Sequence, residues 1–150
     1  MISLEATYKM DRVKSYIQKR VDQRIDGIVE YLRKQGVVYT TAARNKTLAN
    51  RPYTNRTFNL VSSVGFAIVK DREIIESYFP LLETGSEGKA KGEATAERFA
   101  KEDAGSDELV LVLVAGEDYA SFVQDKGFSV TAMASIEFAG FLNQKWRGFQ

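Results

Sequence analysis

Leu109-Val110-Leu111-Val112-Leu113-Val114-Ala115 is the stretch on which the fold turns. Seven consecutive apolar residues make a strand, and a half-exposed strand would alternate apolar with polar residues. The run therefore predicts a central strand covered on both faces. A long helix and a short one scarcely cover both sides of a small sheet. A further helix near the C-terminus, or a neighbouring copy of the chain, has to complete the cover.

Upstream, Phe66 to Val69 and Ile74 to Phe79 are β-branched or aromatic runs around Lys70-Asp71-Arg72-Glu73. This pattern predicts an antiparallel β-hairpin over about 66–79, closed by Pro80, which cannot donate to a ladder. From about Thr7 to Gln35 the period changes. Val13, Ile17, Val21, Ile25, Ile28 and Leu32 recur at steps of four, four, four, three and four, one face of a long helix. Gly36, after Lys34 and Gln35, reads as the residue just beyond its C-terminus. Gly27 lies inside the helix at a cost of about 1 kcal/mol relative to Ala.

Between helix and hairpin, residues 40–56 carry Arg44, Lys46, Arg51 and Arg56 without an acidic residue, which predicts a basic loop. Thr54 is positioned to cap a short helix from about 55 to 64, ended by Gly65. Residues 83–107 read as a long polar insertion, rich in glycine at 85–92, with a short helix near 95–101. Beyond the apolar strand, a short helix is expected over 118–126, an edge strand at 128–130 and a last helix at about 136–146. Ser135 caps that last helix, and Ile136, Phe141, Leu142 and Trp146 form its apolar side. The sum is a single domain, 1–150, of the α+β class. A long N-terminal helix and a C-terminal helix pack on a small, mainly antiparallel sheet, with a long polar insertion loop.

Composition narrows the chemistry. The 150 residues include no cysteine and no histidine. Disulfides, thiol nucleophiles, thiolate or imidazole metal sites and the commonest general base near neutral pH are thereby excluded. An all-carboxylate metal site is the one metal chemistry left open, and no cofactor is expected. No apolar run approaches the roughly 20 residues that cross a bilayer. Met1-Ile2-Ser3-Leu4-Glu5 lacks the basic-then-apolar layout of a secretory signal, which predicts a protein made and used in the cytoplasm. The sequons at Asn45 and Asn55 carry no meaning without secretion.

Net charge is +1, yet residues 1–56 hold 12 Lys/Arg against 5 Asp/Glu, while residues 57–150 hold 9 against 15. Either the chain has two solvated faces of opposite sign, or the halves of neighbouring copies meet. Complementary potentials of this kind steer association and set register.

Three chemistries were weighed against the residues. Gly85-x-x-Gly88-Lys89-Ala90 lacks the four-residue gap and the Ser/Thr after Lys of a phosphate-binding loop. The acidic pairs Glu102-Asp103, Asp107-Glu108 and Glu117-Asp118 fall in loops or at strand ends, where solvation keeps carboxylates ordinary. Glu117 and Asp118 read as favourable charges at a helix N-terminus. Ser62, Ser63 and Ser121 have neither a Gly-x-Ser-x-Gly setting nor a histidine to activate them. The basic loop is different. With Tyr39 and Tyr53 beside it, it has the residue types that hold a nucleic-acid backbone. Arg44, Lys46, Arg51 and Arg56, with Lys89 and Lys91, are the candidate residues for an interface between copies or for facing DNA.

The segment Asn55-Arg56-Thr57-Phe58-Asn59-Leu60-Val61-Ser62-Ser63-Val64 resembles the Thr-Gly-x-Leu-x-x-Ser-Ile segment of the bacteriophage tail-completion, or head–tail joining, family. In that family the segment follows a long N-terminal helix and leads into the sheet. Phe58 stands where the family usually has Gly. The strand at 109–115 followed by Tyr119-Ala120-Ser121-Phe122-Val123-Gln124 is similar to that family's apolar strand plus Tyr-Ala-x-Tyr-Val-Glu, and Gly127 closes the turn. The likeness spans about residues 10–145. It implies structural roles for Thr57, Leu60, Ser63, Tyr119, Ala120, Phe122, Val123 and Gly127. It also implies a non-enzymatic virion protein of the neck, assembled in the host bacterial cytoplasm. Such a protein forms a homo-oligomeric ring, six-fold or twelve-fold, that joins the tail to the DNA-filled head. Its partners would be other connector, stopper or adaptor proteins and tail-tube or terminator proteins. DNA would meet it only in passing through the ring, and no membrane is involved. The alternative is a nucleic-acid-binding or regulatory module that uses the basic loop at 44–56.

Overall fold

A computed structural model describes residues 9–49, 57–106 and 108–117. The expected helix at 118–126, strand at 128–130 and helix at 136–146 lie outside the described residues. So do Arg51, Arg56, Tyr119, Ala120, Phe122, Val123 and Gly127. The elements run α1 (Met10–Ala49), α2 (Asn59–Ser63), β1 (Val64–Lys70), β2 (Glu73–Tyr78), α3 (Ser86–Glu102) and β3 (Leu109–Ala115). The architecture is α+β, with a long N-terminal helix and a small three-stranded antiparallel sheet. The chain divides into two compact units, residues 1–31 and residues 32–150.

The sheet order is β2-β1-β3, antiparallel throughout. The hairpin is present where its β-branched runs placed it. Asp71 and Arg72 form a two-residue turn with φ of 53° and 68°. Positive φ at both central positions matches the right-handed twist of the flanking strands. The turn is tied down from outside, because Arg72 Nε donates to Ala104 O at 3.0 Å and Asp71 N to Glu108 O at 3.1 Å. Register shifts beyond Ile68, which pairs with Glu76 while Val69 pairs with Ile74. Ile75 is the extra residue of a β-bulge on the outer strand, a device that blunts a sheet edge.

β1 is central, and every residue from Val64 to Val69 is buried. Its side chains alternate between two layers. Ala67 and Val69 face α3, where Ala96, Ala100, Val114, Phe79 and Ala104 complete the core. Phe66 faces α1 and lies against Gly36, where a Cβ would stand 2.7 Å from the ring. On the same side Arg33 pairs with Glu76 at 3.6 Å. Phe66 also touches Tyr78 across the hairpin, with ring centroids 5.8 Å apart.

The structure corrects four expectations. First, α1 does not end at Gly36 but runs on to Ala49, so residues 40–49 are helix rather than basic loop. Leu32, Gly36, Thr40, Ala43 and Thr47 are its buried residues, a stripe of mostly small side chains at helical spacing. Gly36 is there to receive Phe66, and packing overrides its poor helix propensity. Second, the 83–107 segment is not a loop, since 17 of its residues form α3. Its solvent face carries i,i+4 pairs Lys89–Glu93, Lys91–Glu87 and Lys101–Glu97 at 3.7–3.9 Å, each contributing about 0.3–0.5 kcal/mol. Third, the apolar strand at 109–115 is not the central strand. Among the described residues it is an edge, and all of it except Val114 is half-buried. Fourth, the short helix spans only Asn59–Ser63 rather than 55–64.

Two glycines of one helix give opposite expectations. Gly27 has nothing within 4 Å of an added Cβ, so Gly27→Ala should raise helical content and stabilise α1 by about 0.5–1 kcal/mol. Gly36→Ala should cost about 1–3 kcal/mol by overpacking against Phe66. Urea unfolding followed by far-UV circular dichroism measures both, and equal effects of the two substitutions would contradict this account.

Candidate functional site

Of the residues singled out by the family-like motif, the described ones, Thr57, Leu60 and Ser63, lie where α2, the start of α3 and the end of β3 meet. Leu60 is fully buried, and Ser63, also buried, donates its hydroxyl to Leu60 O at 2.8 Å. Thr57 is exposed, yet its carbonyl accepts from Thr84 Oγ1 at 3.1 Å. Leu82 N donates to Ser62 Oγ at 3.0 Å, and Gly88 N to Asn59 Oδ1 at 3.3 Å. Gly116 N reaches Ser63 O at 3.2 Å, closing the junction from the β3 side. A five-residue helix has almost no stability of its own. α2 persists because its polar groups are satisfied by α3 and by the residues on either side of it.

The glycines at 85, 88 and 92 belong to this junction. They fall on one side of α3, and Gly88 and Gly92 are buried. A Cβ at Gly88 would collide with the Asn59 carbonyl, and one at Gly92 would stand 2.6 Å from Ser63 O. A Cβ at Gly116 would come 2.5 Å from Gly92 Cα. The segment tested as a phosphate loop is thus a helix edge stripped of side chains so that backbone meets backbone. Further along the same edge the residues become Ala96 and Ala100, which fit against side chains of the sheet.

Among the described residues, the candidates Arg44, Lys46, Lys89 and Lys91 have separate surroundings. Arg44 is half-buried, and its guanidinium donates to the carbonyl of Val61, the third residue of α2. Desolvation lowers its pKa from the ordinary arginine value, with Tyr78 acting in the opposite sense. A guanidinium held this way anchors α1 to α2 and is not presented to a phosphate. Lys46 is half-buried on the last turn of α1. Lys89 is engaged with Glu93. Lys91 reaches both Glu87 and Glu117.

Glu117 departs from the sequence reading. It was expected as a solvated charge, but its side chain is 2% exposed and its Oε2 lies 3.1 Å from Lys91 Nζ. Its Oε1 is buried without a hydrogen-bond partner. The pair clamps the end of β3 to the middle of α3. No sequence signal marks it, because 26 residues separate the partners. Of the remaining acids, Glu102 and Asp103 are exposed at the end of α3, and Glu108 accepts from Gly105 N at 3.1 Å. Among the described residues, no three acids are grouped to hold a metal ion, and no helix is long and apolar enough to cross a membrane. A groove of about 480 Å³ lies between β2 and α3, floored by Ile74, Phe79, Ala96 and Ala100 and rimmed by exposed charges such as Glu73 and Lys101.

No protein-family model, curated protein or solved structure matches the chain.

Removing Lys91 strands a buried carboxylate. Lys91→Ala should cost about 2 kcal/mol, below the 3–5 kcal/mol typical of a fully buried pair because the ammonium is partly solvated. Adding Glu117→Gln to that variant should recover more than half of the loss. Chemical denaturation of the two single variants and the double variant measures the coupling. Additive losses would show that the pair does not act as a unit.

Proposed function

We propose that the chain is a non-catalytic assembly subunit of a tailed bacteriophage, a head–tail joining protein of the virion neck. In this reading copies form a ring that attaches the tail to the DNA-filled head, beside other connector, adaptor and tail-terminator proteins. DNA later passes through the opening of that ring.

One observation carries the reading beyond motif similarity. Phe58 has φ 54°, a left-handed conformation, immediately before α2. Glycine takes this conformation without cost, and other residues adopt it at about 1–3 kcal/mol. It is the position at which the resembled family carries glycine. A backbone that needs glycine in a chain that has Phe supports descent from the motif Thr-Gly-x-Leu-x-x-Ser-Ile. Three features add support. The order long helix, short helix, hairpin and apolar strand runs as in that family. The chain has no histidine or cysteine. The matched positions Leu60 and Ser63 hold the α2 junction together rather than lining a cleft. Arg44 weighs against the nucleic-acid alternative, since its guanidinium is used inside the fold.

Removing the gene from its parental phage tests the proposal. Electron microscopy of the lysate should show full heads and complete tails lying unjoined, with infectivity restored by the gene in trans. Normal joined particles would overturn it.

A further inference from the structure

In the unit of residues 1–31, α1 is helix from Met10 onward, and its apolar side is exposed among the described residues. Met10, Val13, Ile17, Val21 and Ile28 are 64, 38, 56, 45 and 38% exposed, and Ile25 is half-buried between them. Their steps of three, four, four, four and three average the 3.6 residues of a helical turn, so the stripe runs straight along about 30 Å of helix. A stripe of this kind is ordinarily covered, because a helix in water draws most of its stability from packing of its apolar side.

The charges beside the stripe say what covers it. At about 100° per residue, Asp11, Lys14, Gln18 and Asp22 fall along one flank, and Lys9, Tyr16, Arg20 and Arg24 along the other. Side-chain contacts agree with this division. Gln18 Nε2 donates to Asp22 Oδ1 at 2.9 Å on the first flank. Arg20 Nε donates to Tyr16 OH at 3.1 Å on the second, with the guanidinium 5.4 Å from the ring centroid. The first flank carries Asp11 and Asp22 beside Lys14, and the charged residues of the second are all basic. When two such helices pack stripe to stripe and antiparallel with position 13 beside 25, each flank meets its own copy, and Arg20 confronts Arg20 of the neighbour. When they pack in parallel, opposite flanks meet, and Asp22 lies level with Arg20 and Arg24 of the neighbour. Flanking pairs of this kind set orientation more than affinity.

We infer that residues 10–28 form a parallel self-association seam, in which the apolar stripe of one chain packs on that of a second copy. Tyr16, Ile17, Arg20, Val21, Arg24 and Ile25 bound a shallow groove of about 420 Å³ on the basic side of the stripe. In the seam this groove receives the acidic flank of the neighbour. The inference does not rest on the neck reading. It concerns the purified chain alone, and either can fail without the other.

The chain has no cysteine, so single thiols can be placed without background. In the parallel seam Val13→Cys and Ile25→Cys of the full chain each bring a thiol beside its own copy. Each variant should therefore form a covalent dimer under mild oxidation. In an antiparallel pair the thiol at 13 would lie beside residue 25, and neither variant would cross-link. Sedimentation velocity of the unmodified chain should show concentration-dependent association. Ile17→Glu should weaken that association by about tenfold or more, since a charge would enter the apolar seam. Thermal unfolding of the Ile17→Glu variant should keep the transition of residues 32–117, which excludes global misfolding. A monomer at every concentration, or association without either cross-link, would overturn the inference and leave the stripe to another occupant.

Discussion

Everything in the larger unit depends on how closely two helices approach strand β1. The strand is fully buried, and its neighbours come near only where they carry almost no side chain. On one side Gly36 of α1 receives the ring of Phe66. On the other, α3 presents Gly88 and Gly92 to the backbone of α2 and the end of β1, and then Ala96 and Ala100 to Ala67 and Val69. Large apolar residues sit on the strands and small ones on the helices. Interiors of this density leave no room for an added methylene, so the glycines are constraints of volume rather than of backbone freedom. The exception is at Phe58, where the backbone itself calls for glycine and the chain lacks it.

That division of labour explains what could be read from the sequence. The hairpin was legible because β-branched runs around a short polar turn have a local cause, and the β3 strand because seven apolar residues cannot lie in a loop. The long helix, expected over about 7–35, was legible from its apolar period, though its end at Ala49 was not. What failed was the interpretation of glycine. Gly36 read as a helix stop, and Gly85, Gly88 and Gly92 read as a loop, because their packing partners are distant in sequence. The placement of β3 failed for a related reason. A continuous apolar run reports a need for cover, not a position in the sheet.

The candidate site was legible to a smaller degree. Leu60 and Ser63 are buried at the centre of the α2 junction. The basic residues were grouped by sequence proximity and by the absence of acids between them. Of those that are described, Arg44 turns inward to a carbonyl, and Lys89 and Lys91 enter ion pairs. The Lys91–Glu117 clamp had no sequence signature at all. A buried pair of this type contributes modest net stability, and its stronger effect is to specify one arrangement of β3 against α3.

The larger unit is held by its glycine contacts, and residues 10–28 of α1 carry an apolar stripe that is exposed among the described residues. Such a combination suits a protein that works by being held beside copies of itself. The most direct test is an electron cryomicroscopy reconstruction of the neck of the parental virion. A closed ring built from this chain between head and tail is the expected result. A complete neck in which no density fits the β2-β1-β3 sheet and its two helices would contradict it.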